Sequence, residues 1–400
     1  MDLFILSMCF LIEKVYHIKA KREMEKLKKS SYLLSIVFCL LSFVWLLKVL
    51  FLGLYPDFSA YYHVSKFFLE GVNYYAHPEL LSISYSYPPI DFLLFVPLTF
   101  LPFPTAEIFW AVLNIFLLVV CIYFLTKIFA EKFFSRMNMM LMTLVFISFP
   151  TKFTLGMGQL NIFVMCILCY GLWIFMQKKD SFAGIIFGAA LSIKFSPVFL
   201  PLYFLVKFNK RVLVGMLVFA LINVLLVMLF VPITTTSYYI VKIAPDFLLS
   251  SWKLDYYNQS ITGVVGRAWG MGNTSTIAKN IISIGFIVWS FFVIYKNKKK
   301  DVLSTMLSIG IVMTLSILFN TFSWQHYFVW LMIPFYATIF YLKKIKAKNN
   351  YYLLITISYF LVSINFPDPN ILPVILQSHV FYGGLILLIL DLYLLKKGLK

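Results

Sequence analysis

Four hundred residues would ordinarily make roughly two or three soluble domains, but 62% of this chain is hydrophobic and only 12% is charged, whereas soluble domains carry about a quarter charged residues. Mean hydropathy is +0.89, and 43 Phe, 25 Tyr and 8 Trp make 76 aromatic residues of 400. So little polar surface excludes a soluble protein; the expectation is an all-α polytopic membrane protein.

A net charge of +18 could mark a nucleic-acid footprint, but its distribution argues otherwise. Loops placed between apolar runs fall into two alternating sets. The stretches 13–29, 127–136, 178–179, 207–211, 296–300, 343–348 and 396–400 hold 26 of the 34 Lys and Arg residues. By the positive-inside rule these are cytoplasmic, as are both termini. The charge is topological, and no nucleic-acid partner is expected.

In chain order, residues 1–12 are apolar but too short to span, since about 20 residues cross the hydrocarbon core. A basic stretch follows them in place of a small-residue cleavage site, which disfavours a signal peptide. Met24 is an alternative start, and residues 1–30 form a basic cytoplasmic segment. Apolar runs predict spans at 31–52, 105–128, 137–150, 159–177, 182–195, 197–206, 211–232, 277–295, 302–320, 325–342, 351–366 and 371–395, about twelve crossings within one membrane domain over 31–395. The piece 88–102 is read as interfacial, and 396–400 as a cytoplasmic tail. Cys9, Cys39, Cys121, Cys166 and Cys169 all sit in apolar runs, so a disulfide framework is not expected.

Two outer loops are long, 53–104 and 233–276, and long loops tend to carry function. The first opens on Gly53-Leu-Tyr-Pro-Asp57, placing an acid just past a span. Such a carboxylate is a candidate general base toward a hydroxyl; the plainer reading is an N-cap of a helix starting near Phe58. Tyr55, Tyr61, Tyr62, Tyr74, Tyr75, Tyr85 and Tyr87 suit sugar stacking or an aromatic belt. The loop closes on Tyr85-Ser-Tyr-Pro-Pro89, an extended turn.

Lys194 lies twelve residues into a span, about 18 Å along a core roughly 30 Å thick. A Lys there costs about 2.5–3.5 kcal/mol and marks function by default; the alternative is snorkelling to the headgroups. Ser196-Pro197 follows as cap and first residue of a next helix, which would make an anion site. The second loop carries Asn258-Gln-Ser260 and Arg267, a side chain shaped for phosphate. Asn258 and Asn273 also match glycosylation sequons. Gln159 and Asn161 stand at the outer end of a span, and Ser323-Trp324-Gln-His326 brings a histidine to the outer surface. His63, His77, His326 and His379 have no metal-ligand spacing, and neither D-x-D, H-E-x-x-H, Walker A nor G-x-S-x-G occurs. No metal or other cofactor is expected.

An Asp after the first span, Tyr-Pro-Pro, Gly-Gln-x-Asn at 158–161, Lys-x-x-Pro at 194–197, Asn-Gln-Ser with Arg267, and Ser-Trp-x-His at 323–326 together resemble glycosyltransferase family 87. This GT-C-type family includes the polyprenol-phosphate-mannose-dependent mannosyltransferases, and the blocks keep its order across about residues 50–340. Tyr327 stands where a second His is expected in many members. The resemblance implies inverting transfer of a hexose, mannose first among them, from a polyprenyl-phosphate sugar to an extracytoplasmic glycolipid or glycan. It places Asp57 as base, with Lys194, Arg267 and His326 at the lipid phosphate. Tyr61, Tyr62, Tyr87, Gln159, Asn161, Asn258, Gln259 and Trp324 are candidate substrate-binding residues. Membrane lipids are expected neighbours, and a Lys-, Ile- and Phe-rich composition points to a bacterial or archaeal plasma membrane and cell-envelope synthesis.

A transporter would explain Lys194 and the broken helices at 182–206 as well. It predicts internal repeats, and no self-similarity relates 31–206 to 211–395. A scaffold would not need ionisable residues gathered on one face.

Overall fold

The computed structural model describes Glu25 and residues 29–80, 86–249 and 251–398. Tyr85, nearly all of the basic N-terminal segment and the last two residues lie outside them. Helix α1 is Lys29–Leu52, and α2 (Pro56–Leu69) and α3 (Pro89–Phe95) belong to the first long loop. Then come α4 (Phe103–Ile128), α5 (Arg136–Ile147), α6 (Phe149–Met157), α7 (Asn161–Met176), α8 (Asp180–Ile193), α9 (Leu200–Val206) and α10 (Lys210–Phe230). The second loop holds α11 (Ile233–Tyr238), α12 (Ala244–Leu249) and α13 (Ile261–Trp269). The chain ends with α14 (Asn273–Lys296), α15 (Val302–Leu318), α16 (Met332–Lys344), α17 (Asn349–Ser363) and α18 (His379–Lys397). Among the described residues the only strand-like pairing is one antiparallel bridge, Asn258 to Trp324.

The protein is an all-α membrane protein. Five helical stretches are long and apolar enough to cross a bilayer alone: α1, α4, α10, α14 and Leu376–Lys397. The α5–α6 pair, bent by 53° where Pro150 interrupts the hydrogen-bond ladder, makes a sixth. The other predicted crossings fall on shorter helices: α7, α8 and α15 have 16, 14 and 17 residues, and α9 has seven. Pro89–Phe100 is a short apolar helix, in keeping with the interfacial piece.

Lipid-facing and core helices differ in burial. On α10, Leu217, Leu221 and Leu225 are exposed, a surface stable only against hydrocarbon. By contrast α15 is buried continuously from Met306 to Leu318, as an all-round apolar helix must be. Helices α8 and α10 approach so closely at Gly184 and Gly215 that an added Cβ on either would strike the backbone of the other, the small-residue packing typical of membrane helices.

The loops gather at two ends. At one, Lys343 pairs with Glu131 at 2.9 Å, Asn209 donates to Asp180 at 3.1 Å, and Lys207 Nζ donates to the carbonyls of Ile294 (2.8 Å) and Asn297 (2.5 Å). These are the basic loops. At the other end the two long loops pack over the bundle. Phe58 of α2 lies about 6 Å, centroid to centroid, from Phe95, Phe103 and Trp110, and Ser65 donates to the Phe92 carbonyl at 2.8 Å. The second loop is stitched down by Gln259 N–H to the Ser323 carbonyl and Gln325 N–H to the Tyr257 carbonyl.

Candidate functional site

The first long loop turns at Tyr55, whose φ of +43° is the left-handed region that only a few non-glycine residues occupy. Its N–H is held by the Gly156 carbonyl at 2.9 Å, which docks the loop on the end of α6. Pro56, pre-set for a first helical turn, then starts α2. Asp57 is therefore inside the helix, and the N-cap reading is corrected: Tyr55 is the cap residue, and the Asp57 side chain turns to Gln159 instead. On the facing element, α6 closes at Gly158 with φ +70°, where a Cβ would lie 2.6 Å from that of Phe58. Trp110 Nε1 fixes the Gly158 carbonyl at 2.8 Å, so Gln159 is aimed by backbone on both sides.

Gln159, 2% exposed, is the hub. Its Nε2 donates to Asp57 Oδ2 and, at 2.9 Å, to the Tyr87 hydroxyl. Its Oε1 accepts from Lys194 Nζ at 3.1 Å and from Tyr61 at 3.3 Å. Lys194 is 5% exposed; it follows the last turn of α8 in extended backbone, which sends its side chain towards Gln159. Its Nζ lies 4.2 Å from the ring centre of Tyr327 and 5.7 Å from that of Tyr87, a cation–π cradle. Burial pushes the Asp57 carboxyl up to about 6, against the lowering effects of Gln159 and Lys194.

The expected anion site at the helix after Lys194 is corrected. Pro197, Val198 and Phe199 form a turn, with Leu200 N–H bonded to the Pro197 carbonyl and Phe199 N–H to Ser316 Oγ of α15. Helix α9 starts only at Leu200, is seven residues long and lacks a side-chain cap.

His326 is 5% exposed and within electrostatic reach of Lys194. Its carbonyl accepts from Thr154 (2.9 Å) and Asn161 (3.1 Å), while its Nδ1 has no partner in the protein. Trp324 stacks between His326 and Tyr257, with centroid separations of 6.2 and 6.3 Å. Asp57, Tyr61, Tyr87, Gln159, Lys194, His326 and Trp324 thus converge at one end.

Other expected site residues are engaged in holding loops. All of Asn258's amide functions are used: Nδ2 bonds the Lys253 and Thr321 carbonyls, and Oδ1 the N–H groups of Ser260 and Ser323. Being fully buried, Asn258 is also unsuited as a glycosylation acceptor. Gln259 bonds the Tyr256 and Gln377 carbonyls, and Tyr62 the Leu101 carbonyl. Arg267 donates to the carbonyls of Asp255 (2.7 Å) and Asn258 (2.8 Å) and to Ser378 Oγ (2.8 Å). These contacts clamp the second loop to the start of α18. Two residues at the site were given no role from the sequence. Tyr327, at the departure from the family pattern, lies under Lys194 and interacts with Ser196. The second, Asp91, is fully buried on α3 with neither carboxyl oxygen bonded; the signal was a lone acid in the apolar run after Tyr-Pro-Pro. No group of three His, Cys, Asp or Glu residues suited to a metal occurs among the described residues.

An all-α membrane protein with a buried amide–carboxylate–lysine cluster beneath two long loops is the class that fold and site define. The model of glycosyltransferase family 87 matches residues 85–345, and the chain belongs to that family. An alpha-(1->3)-arabinofuranosyltransferase of Corynebacterium glutamicum is 27% identical over 157 residues, 39% of this chain and 37% of that protein. The aligned part thus spans well under half of that relative. No solved structure matches.

Proposed function

We propose that this protein is a membrane glycosyltransferase that moves a hexose, mannose first among the candidates, from a polyprenyl-phosphate sugar to an extracytoplasmic glycolipid or glycan, with inversion. The observation that carries the reading is the Gln159 amide set between a carboxylate and a buried lysine. Asp57, ionised above about pH 6, takes the acceptor hydroxyl's proton as the oxygen attacks the anomeric carbon. The bond from that carbon to the phosphate oxygen breaks, and its electron pair leaves with the lipid phosphate. Lys194 and His326 face that developing charge where little water competes. Holding both reactants at one place supplies much of the remaining acceleration.

A lipid-linked donor also suits the neighbourhood. An apolar cavity of about 220 Å³, lined by Leu144, Val145, Thr151, Phe328, Met332 and Tyr359, lies along α5, α16 and α17 close in sequence to Thr154 and His326. The basic loops support a GT-C-like arrangement of about twelve helices in a plasma membrane, with cytoplasmic termini and the Asp57 end outside. The test is a donor panel. Wild-type protein with labelled polyprenyl-phosphate mannose, polyprenyl-phosphate arabinose and a nucleotide sugar should label acceptor lipid from a polyprenyl donor, mannose preferred. Labelling from the nucleotide sugar alone would overturn the reading, and preference for arabinose, the sugar in the relative's name, would replace the hexose.

A further inference from the structure

Asp91 is fully buried, and both of its carboxyl oxygens lack a hydrogen-bond partner in the protein. It is no isolated core residue. Lys194, Tyr61 and Tyr327 feel both Asp91 and Asp57, and Tyr75 and Tyr239 stand within electrostatic reach of Asp91 alone. The donors around it are committed elsewhere: Tyr61 and Lys194 to Gln159, and Tyr75 to the Tyr87 carbonyl at 2.6 Å. A buried carboxyl group without donors is costly and calls for an explanation, of which a ligand that satisfies it is one; the setting beside Lys194 and Asp57 favours that one.

Such a ligand brings hydroxyl donors to a place beside Lys194. A phosphate suits the site poorly, because it brings no hydroxyl donors and even a protonated carboxyl group has one donor against several acceptor positions to satisfy. A sugar fits, since neighbouring hydroxyls span the two oxygens of one carboxyl group. We propose that Asp91 binds hydroxyl groups of the transferred sugar and sets which sugar the enzyme accepts. This rests on the reading of the chain as a polyprenyl-phosphate-sugar transferase. It divides the two carboxyl groups by position: Asp57, partly exposed and held by Gln159, meets the acceptor, and Asp91, enclosed on α3, meets the donor sugar. Burial holds Asp91 well above the usual carboxylate range despite Lys194, and a protonated carboxyl both donates to and accepts from hydroxyls.

The test uses full-length protein in detergent and three probes: undecaprenyl phosphate, undecaprenyl-phosphate mannose and undecaprenyl-phosphate arabinose. Asp91→Ala should weaken the preferred sugar-bearing lipid about 10- to 100-fold and leave undecaprenyl phosphate unchanged. Asp91→Asn, which keeps shape and part of the hydrogen bonding, should shift the mannose-to-arabinose preference and serves alone where the alanine variant does not fold. Equal weakening of all three lipids would make Asp91 structural, and a change confined to undecaprenyl phosphate would make it a counter-ion of Lys194; either overturns the proposal, as would an unchanged preference. Wild type that binds no polyprenyl lipid better than phosphatidylcholine would instead bring down the donor reading itself.

Discussion

Asp57 and Lys194 do not meet as an ion pair; the side-chain amide of Gln159 stands between them, donating to the carboxylate and accepting from the ammonium at 3.1 Å. A direct pair would neutralise both groups and hold each from its work. The amide orients both and leaves the remaining protons of Lys194 to an incoming anion.

Gln159→Ala should therefore cut transfer about 100-fold, the scale of a small misplacement of reacting groups. The amide lowers the Asp57 pKa, so its loss should also move the acidic limb of the pH–rate profile upward. A purely structural defect would lower the rate without moving that limb.

In the wild type, kcat/KM should rise with pH through about 6, where Asp57 loses its proton. Below that value the group is protonated and cannot accept the acceptor's proton. The limb should vanish from whatever residual rate Asp57→Asn retains. A profile flat from pH 5 to 7 would remove Asp57 as base.

Gly158→Ala should destabilise the protein by roughly 1–3 kcal/mol, the usual cost of backbone held in a rarely populated region. The φ of +70° disfavours a Cβ there, and the added carbon would push on Phe58, next to Asp57. Thermal unfolding should detect the loss, and kcat should fall with it.

Parts of this site were legible in sequence. An acid just past the first span and a lysine deep in an apolar run are expensive enough to stand out, and both reach the hub. Gln159 was visible as a polar residue at a span end, but its central position depends on the left-handed Tyr55 and Gly158, which no periodicity reports. For Asn258, Gln259 and Arg267 the sequence does not reveal the loop carbonyls that their side chains also hold. Asp91 was hidden for the opposite reason, as one acid in a short apolar helix. Helix positions followed the apolar runs closely, whereas the number of crossings is not read from them alone, because segments such as Leu200–Val206 are too short to span by themselves.

Arg267→Ala should lower the unfolding temperature, through loss of hydrogen bonds from a charged group that each contribute about 1.5–3 kcal/mol. Donor KM should change little in the folded fraction, and Lys194→Ala should give the reverse pattern. A selective rise in donor KM for Arg267→Ala would return that residue to the phosphate.

The most direct measurement of the central claim is transfer from labelled polyprenyl-phosphate mannose to a host lipid extract by purified wild type and Asp57→Asn. Wild type should form labelled glycolipid, while Asp57→Asn, folded and still binding the donor, should fall by about 10²-fold or more. Equal product from the two proteins would contradict the account.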